Sequence, residues 1–130
     1  MYEAVTEGFR VRVEPTFLED RSSPAEGLFF WAYAIEITNL GVDTGTLRTR
    51  YWRIIDAAGK VEEVEGPGVV GEEPELPPGA QFSYTSGCPL PTPSGFMQGH
   101  YIFEIDGAKD LEVKIPAFSL DSPYASTSVN

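Results

Sequence analysis

The segment Gly66-Pro67-Gly68-Val69-Val70-Gly71-Glu72-Glu73-Pro74 constrains this chain more than any other, because it has the letters of a GxGxxG phosphate loop in a setting that forbids one. A dinucleotide fingerprint needs a helix to begin within the glycines, so that free N–H groups and the helix dipole meet the pyrophosphate. Pro74, Pro77 and Pro78 follow closely, and each removes a donor and clashes with a preceding helical turn. Pro67 deletes one more N–H, and no Lys-Ser/Thr pair follows to make a P-loop. Glu62, Glu63, Glu65, Glu72, Glu73 and Glu75 flank the segment and would repel a phosphate. Turn chemistry explains the same residues: Gly66-Pro67-Gly68-Val69 fits a type II turn, with proline second and glycine where φ is positive.

The remaining residues point to a sheet protein. Thirteen glycines and eleven prolines punctuate short runs of Val, Ile, Phe, Tyr and Trp, leaving no room for long helices. Alternation predicts strands over 9–13, 29–39, 46–56, 60–64, 81–85, 96–106 and 111–118. In the strongest, Phe29 to Asn39, the residues Phe29, Trp31, Tyr33, Ile35 and Ile37 share a face and belong in a core. Its other face holds Phe30, Ala32 and Ala34, which places this strand centrally. The run from Thr46 to Asp56 alternates less cleanly, with Tyr51 and Ile55 on one side and Trp52 and Ile54 on the other. Turns are expected at Asn39-Leu40-Gly41, Ala58-Gly59 and Asp106-Gly107, and Cys88 to Gly95 reads as a loop. Seven antiparallel strands predict an all-β, two-sheet sandwich of fibronectin type III or immunoglobulin-like character rather than a barrel. Residues 1–120 are read as a single domain, and the Ser/Thr-rich stretch 121–130 as a flexible C-terminal tail. A chain of this size buries about two-thirds of the surface its unfolded form exposes.

Charge and composition exclude several function classes. A net charge of −11 opposes approach to nucleic acid or to an anionic membrane, so neither is an expected partner. Cys88 is the single cysteine, which rules out an intramolecular disulfide and a thiolate zinc site. Nothing in the spacing pairs Cys88 with His100, the single histidine, for nucleophilic catalysis. Oxygen ligands from the glutamates would suit only a hard cation, and no EF-hand, HxH or HExxH spacing supports one. No metal site, no cofactor and no catalytic constellation are predicted, and the chain is read as no enzyme. With no leader-like opening and no apolar run of membrane-spanning length, it is expected to be soluble and cytoplasmic.

What remains is a binding surface on loops held by a rigid sandwich. Val69, Val70, Pro91, Phe96 and Met97 are the candidate contacts for an unidentified protein partner. Gly66, Gly68 and Gly71, with Arg48 and Arg50 on one strand face, are weaker candidates for a phosphorylated metabolite or its divalent-metal complex.

The runs NLG (Asn39 to Gly41), RYW (Arg50 to Trp52), GPGVVGEEP (Gly66 to Pro74), YTSG (Tyr84 to Gly87), TPSGFMQGHY (Thr92 to Tyr101) and IPAFSL (Ile115 to Leu120) together resemble the ApaG family, also called CorD. Their order and spacing span about residues 5 to 120, far more than the glycine motif alone. The resemblance implies a fibronectin type III-like sandwich. It also implies a domain reused as an interaction module in an F-box substrate adaptor and in a mitochondrial protein that binds a DNA polymerase subunit. In bacteria it implies an association with cobalt resistance and magnesium efflux, and a gene neighbouring that of a diadenosine tetraphosphate hydrolase.

Overall fold

The computed structural model describes residues 1–125. Its strands are β1 (Tyr2–Thr6), β2 (Phe9–Phe17), β3 (Phe29–Asn39), β4 (Gly45–Asp56), β5 (Val61–Pro67), β6 (Glu75–Leu76), β7 (Gln81–Leu90), β8 (Ser94–Ile105) and β9 (Lys109–Asp121). One sheet runs β1-β2-β3-β7 and the other β5-β4-β8-β9, with β6 also on β4, and every pairing is antiparallel. The all-β, two-sheet sandwich read from the sequence is therefore present, with nine strands in place of seven. β1 went unread because its pattern is only half-buried, and β6 because two residues carry no periodicity. Pro15 does not end β2, since it lies past the end of β1, where β3 alone pairs with it.

β3 is central, as its two apolar faces predict, and its odd-numbered side chains enter the core. Tyr33 meets Trp52 edge-on at 5.2 Å and Phe118 at 6.2 Å, joining the two sheets. Each such side chain stabilises by about 1.5–3 kcal/mol through burial. At the end of β3 the fully buried Asn39 amide donates to the carbonyls of Asp43 (2.8 Å) and Leu76 (2.9 Å), and its oxygen accepts from Gly41 N–H at 2.9 Å. This one side chain explains the NLG run: it ties the turn after β3 to β6 in the opposite sheet.

Two bulges reset which residues face inward. The β4–β8 register shifts at Arg48, so Leu47 points into the core before it and Trp52 after it. That shift is the reason for the unclean alternation of Thr46 to Asp56. In β9 the register against β8 shifts around Pro116 and Ala117, and inward residues change from Val113 and Ile115 to Phe118 and Leu120.

Opposite the β4 bulge, β5 and β6 form two pieces of one edge with an excursion between them. Gly68 N–H donates to Arg48 O (2.8 Å) and Leu47 N–H to Pro74 O (2.9 Å), closing the base of the excursion. Val69 and Glu72 bond each other across a two-residue turn in which Val70 has φ +43° and Gly71 φ +80°. Both central residues in the left-handed region make this a type I′ reversal. The type II turn expected at Gly66 to Val69 is thus corrected: β5 keeps pairing with Thr49 through Pro67, so the chain turns three residues later.

The flexible tail expected from residue 121 is also corrected where the structure describes it. Asp121 closes β9, Ser122 is buried, and the Tyr124 ring packs 6.1 Å from Phe17 and 6.3 Å from Phe29. The rest of that stretch, 126–130, lies outside the described residues.

Candidate functional site

The sandwich is closed along one side, where Lys114 N–H donates to the Thr6 hydroxyl and Tyr2 packs on Phe118. Along the other side lie two sheet edges, β5 with β6 and β7, that pair with nothing further among the described residues. Between them runs a groove made of three adjoining cavities. The first, ≈ 200 Å³, lies between Val69, Val70 and Tyr84. It shares Tyr33, Arg50, Trp52 and Ser86 with the second, ≈ 220 Å³, floored by Met97 and Cys88. That one shares Ile54, Glu62 and Pro89 with the third, ≈ 300 Å³, which ends at Lys60 and Pro91.

Arg50 is the centre of this groove, and the bulge at Arg48 put it there. An unbroken strand would keep Arg48 and Arg50 on one face, as the sequence suggests; the extra residue sends Arg48 outward and Arg50 inward. Arg48 is neutralised outside by Glu73 (3.0 Å) and Glu104 (2.6 Å). Arg50 donates from Nη1 to the carbonyls of Pro67 (2.8 Å) and Gly68 (2.9 Å), and no carboxylate lies within 4.0 Å of it among the described residues. Its guanidinium lies over Gly66, where a Cβ would stand 3.2 Å from Nη1 and from Nη2.

Beside Glu62 the groove carries the phenols of Tyr33 and Tyr84, with the buried Tyr101 behind Tyr84. Burial pushes the hydroxyl pKa of Tyr33, Tyr84 and Tyr101 up from the usual phenol value, with Arg50 opposing the rise. The Tyr84 and Tyr101 hydroxyls share one hydrogen bond of 2.5 Å. Burial, with Glu62 nearby, pushes the Cys88 thiol up to about 11, so it is no nucleophile at neutral pH. His100 is far from this chemistry: it stacks on Tyr51 at 5.0 Å on the outer face of β8, with Nδ1 3.9 Å from Glu112.

The N–H groups of Gly68, Val69 and Glu72 bond within the fold, and the loop turns carbonyls toward Arg50. Gly68 has φ +59°, and a Cβ there would stand 2.2 Å from Glu72 O; Gly71 stands open at the turn. Among the described residues no three His, Cys, Asp or Glu side chains converge where a metal ion could be held.

Of the residues singled out for partner contact, Val70 (56 % exposed) and the exposed Pro91 mark the two ends of the groove. Val69 and Met97 line the cavities from the core side and are buried, not exposed, Val69 because the turn tucks it between the sheets and Met97 because β8 begins at Ser94 and points it inward. Phe96, the neighbour of inward Met97, sits half-buried on the outer face of β8, away from the groove. Tyr33, Trp52, Tyr84 and Ser86 were missed as site residues. The phase change between Leu47 and Trp52 was the available signal.

Two antiparallel sheets closed along β1 and β9 and open along β5 and β7 define a fibronectin type III-like sandwich with an inter-sheet groove. Residues 19–105 match the ApaG domain, and the chain belongs to the ApaG family. It is 54 % identical over 130 residues to Protein ApaG of Rhodospirillum centenum, covering 100 % of both chains. It is 55 % identical over 130 residues to Protein ApaG of Brucella anthropi, again over 100 % of both. A crystal structure of a Bordetella pertussis protein designated ApaA, 41 % identical, matches with a TM-score of 0.86 over 90 % of this chain and 95 % of that one.

Proposed function

We propose that this chain is a binding module without catalysis of its own, and that it recognises a partner protein along the groove between β5 and β7. Val70 carries this reading. A β-branched residue at positive φ is strained, by about 1–2 kcal/mol, and Asn or Gly would occupy the same turn at ease. Yet Val70 holds φ +43° with its side chain 56 % exposed at the groove mouth. Strain kept at an exposed apolar side chain is what contact with another molecule accounts for. The protonated thiol of Cys88 and the remote His100 support a site that binds rather than reacts. The cobalt-resistance and magnesium-efflux association implied by family resemblance is then exerted through the partner, in the cytoplasm.

The test is photo-crosslinking in cells from positions 70 and 91, with position 42 as control because Val42 is exposed at 88 % away from the groove. One protein captured from both groove ends and not from the control supports the reading. Equal capture from all three, or from none, overturns it.

The unpaired guanidinium of Arg50 favours one second reading, a sensor for a phosphorylated metabolite or its metal complex. Amide NMR with pyrophosphate, ATP and diadenosine tetraphosphate, each with and without Mg²⁺ or Co²⁺, decides it. Spectra unchanged throughout remove this alternative.

A further inference from the structure

We infer that the occupant of the groove is an extended segment of the partner protein, which pairs with the free edge of β7 and seats one carboxylate on the Arg50 guanidinium. This deepens the partner-recognition reading above and rests on it. The two edges that flank the groove differ in kind. β5 carries Glu62, Glu63, Glu65 and Pro67, the charges and proline that defend an edge against pairing. β7, ten residues of sequence QFSYTSGCPL, carries no charge, and its first proline is Pro89. It pairs with β3 on one side and, among the described residues, with no other strand. An undefended edge beside a groove is the geometry that strand addition uses: backbone bonds supply affinity, and alternate side chains enter pockets. The groove follows β7 from Tyr84 to Leu90, so a chain laid along it would meet all three cavities in turn.

Charge selects what enters the middle cavity. Arg12 is matched by Glu3 and Arg48 by Glu73 and Glu104, while Arg21 and Arg53, which also make no ion pair among the described residues, lie outside the groove. Arg50 is fixed instead by two neutral carbonyls, which orient its fork and leave its charge uncompensated. A carboxylate fits the remaining edge of that fork in the two-bond manner arginine favours. The phenols add a donor. If Tyr84 donated to Tyr101, the fully buried Tyr101 would keep its own proton with no acceptor, a costly arrangement. Tyr101 therefore donates, and the Tyr84 proton is free for an acceptor at the groove wall. One negative charge is also the most the site favours, because Glu62 lines the same cavity and the chain carries −11 overall. That balance turns away polyphosphates and suits a single Asp or Glu.

The experiment selects a random-peptide library on the full chain and follows the best binder by NMR. Expected are peptides of β-forming residues with one acidic residue at a fixed place, shifting β7 amides and the Arg50 Nε–H. Changing that acid to its amide, or Arg50→Met, weakens binding about tenfold or more, the loss expected for a hydrogen bond to a charged group. Arg50→Lys keeps the charge, loses the fork and falls between; thermal melts confirm that the variants fold. Peptides that bind the groove equally as amides, or that ignore Arg50→Met, overturn the carboxylate assignment and leave groove recognition standing. Shifts that spare β7 overturn strand addition. A library without binders overturns the proposal, and crosslinks that are silent as well remove the partner reading itself. Saturable shifts at Arg50 from pyrophosphate alone assign the site to a small anion instead.

Discussion

Alanine at each of three glycines should separate a structural role for the Gly66–Gly71 segment from a ligand-binding one. Gly68 has φ +59°, and a Cβ there would lie 2.2 Å from the backbone oxygen of Glu72. The left-handed backbone alone costs a non-glycine residue about 1–2 kcal/mol. The overlap also forces the turn open, endangering the two bonds between Val69 and Glu72 at about 1 kcal/mol each. We expect Gly68→Ala to destabilise by about 3–4 kcal/mol, which lowers Tm by roughly 10 °C or more in a domain of this size. Gly71 has φ +80° but nothing within 4 Å, so Gly71→Ala carries only the backbone term, about 1–2 kcal/mol. A Cβ at Gly66 would stand 3.2 Å from the Arg50 fork, a contact that a shift of a few tenths of an ångström relieves with its carbonyl bonds kept, and alanine suits a strand better than glycine, so Gly66→Ala should be near neutral. Guanidinium chloride unfolding with unchanged m-values measures all three. The reasoning is refuted by three similar losses, or by a Gly68→Ala loss within about 1 kcal/mol of that for Gly66→Ala.

Val69→Asp should prevent stable folding, because Val69 is fully buried and a lone carboxylate has no partner there, whereas Val70→Asp should fold normally; circular dichroism separates them. Val70→Gly should raise stability by about 1 kcal/mol through relief of strain, and a loss in chemical denaturation counts against the strained turn. Asn39→Ala should destabilise by about 2–4 kcal/mol, since it strips three bonds at a buried site and strands the Leu76 carbonyl; a loss below about 1 kcal/mol shows the tie to be dispensable. The Cys88 thiol ionises near 9 when unfolded and near 11 when folded, so its contribution is complete below pH 9 and lost as pH rises to 11. Stability should accordingly fall across that window, less so in Cys88→Ala, and thiol alkylation of the folded protein should stay slow until the pH approaches 11.

How much of the fold and site could be read in the residues follows from the range of the interactions involved. Alternation is local, so Phe29 to Asn39 announced a central strand and the proline-glycine punctuation announced turns. That GPGVVGEEP opens no helix was legible too, since prolines forbid one wherever the segment sits. Val69 and Val70 of the glycine segment, and Pro91 and Met97 further on, all line the groove. Which of these stay exposed there was not legible. Val69 and Met97 look like exposed loop residues until the turn and the start of β8 are known.

Sequence alone determined the strand class and most of the segments that turn, because each depends on residue type and near-neighbour spacing. Tertiary structure decided the site. One extra residue at Arg48 inverts the facing of everything after it in β4, taking Arg50 from the outer surface to the inter-sheet groove. A bulge is a mismatch between two paired strands, and that pairing, of β4 with β8, joins residues some fifty positions apart. No local pattern contains such a mismatch until both strands are in place.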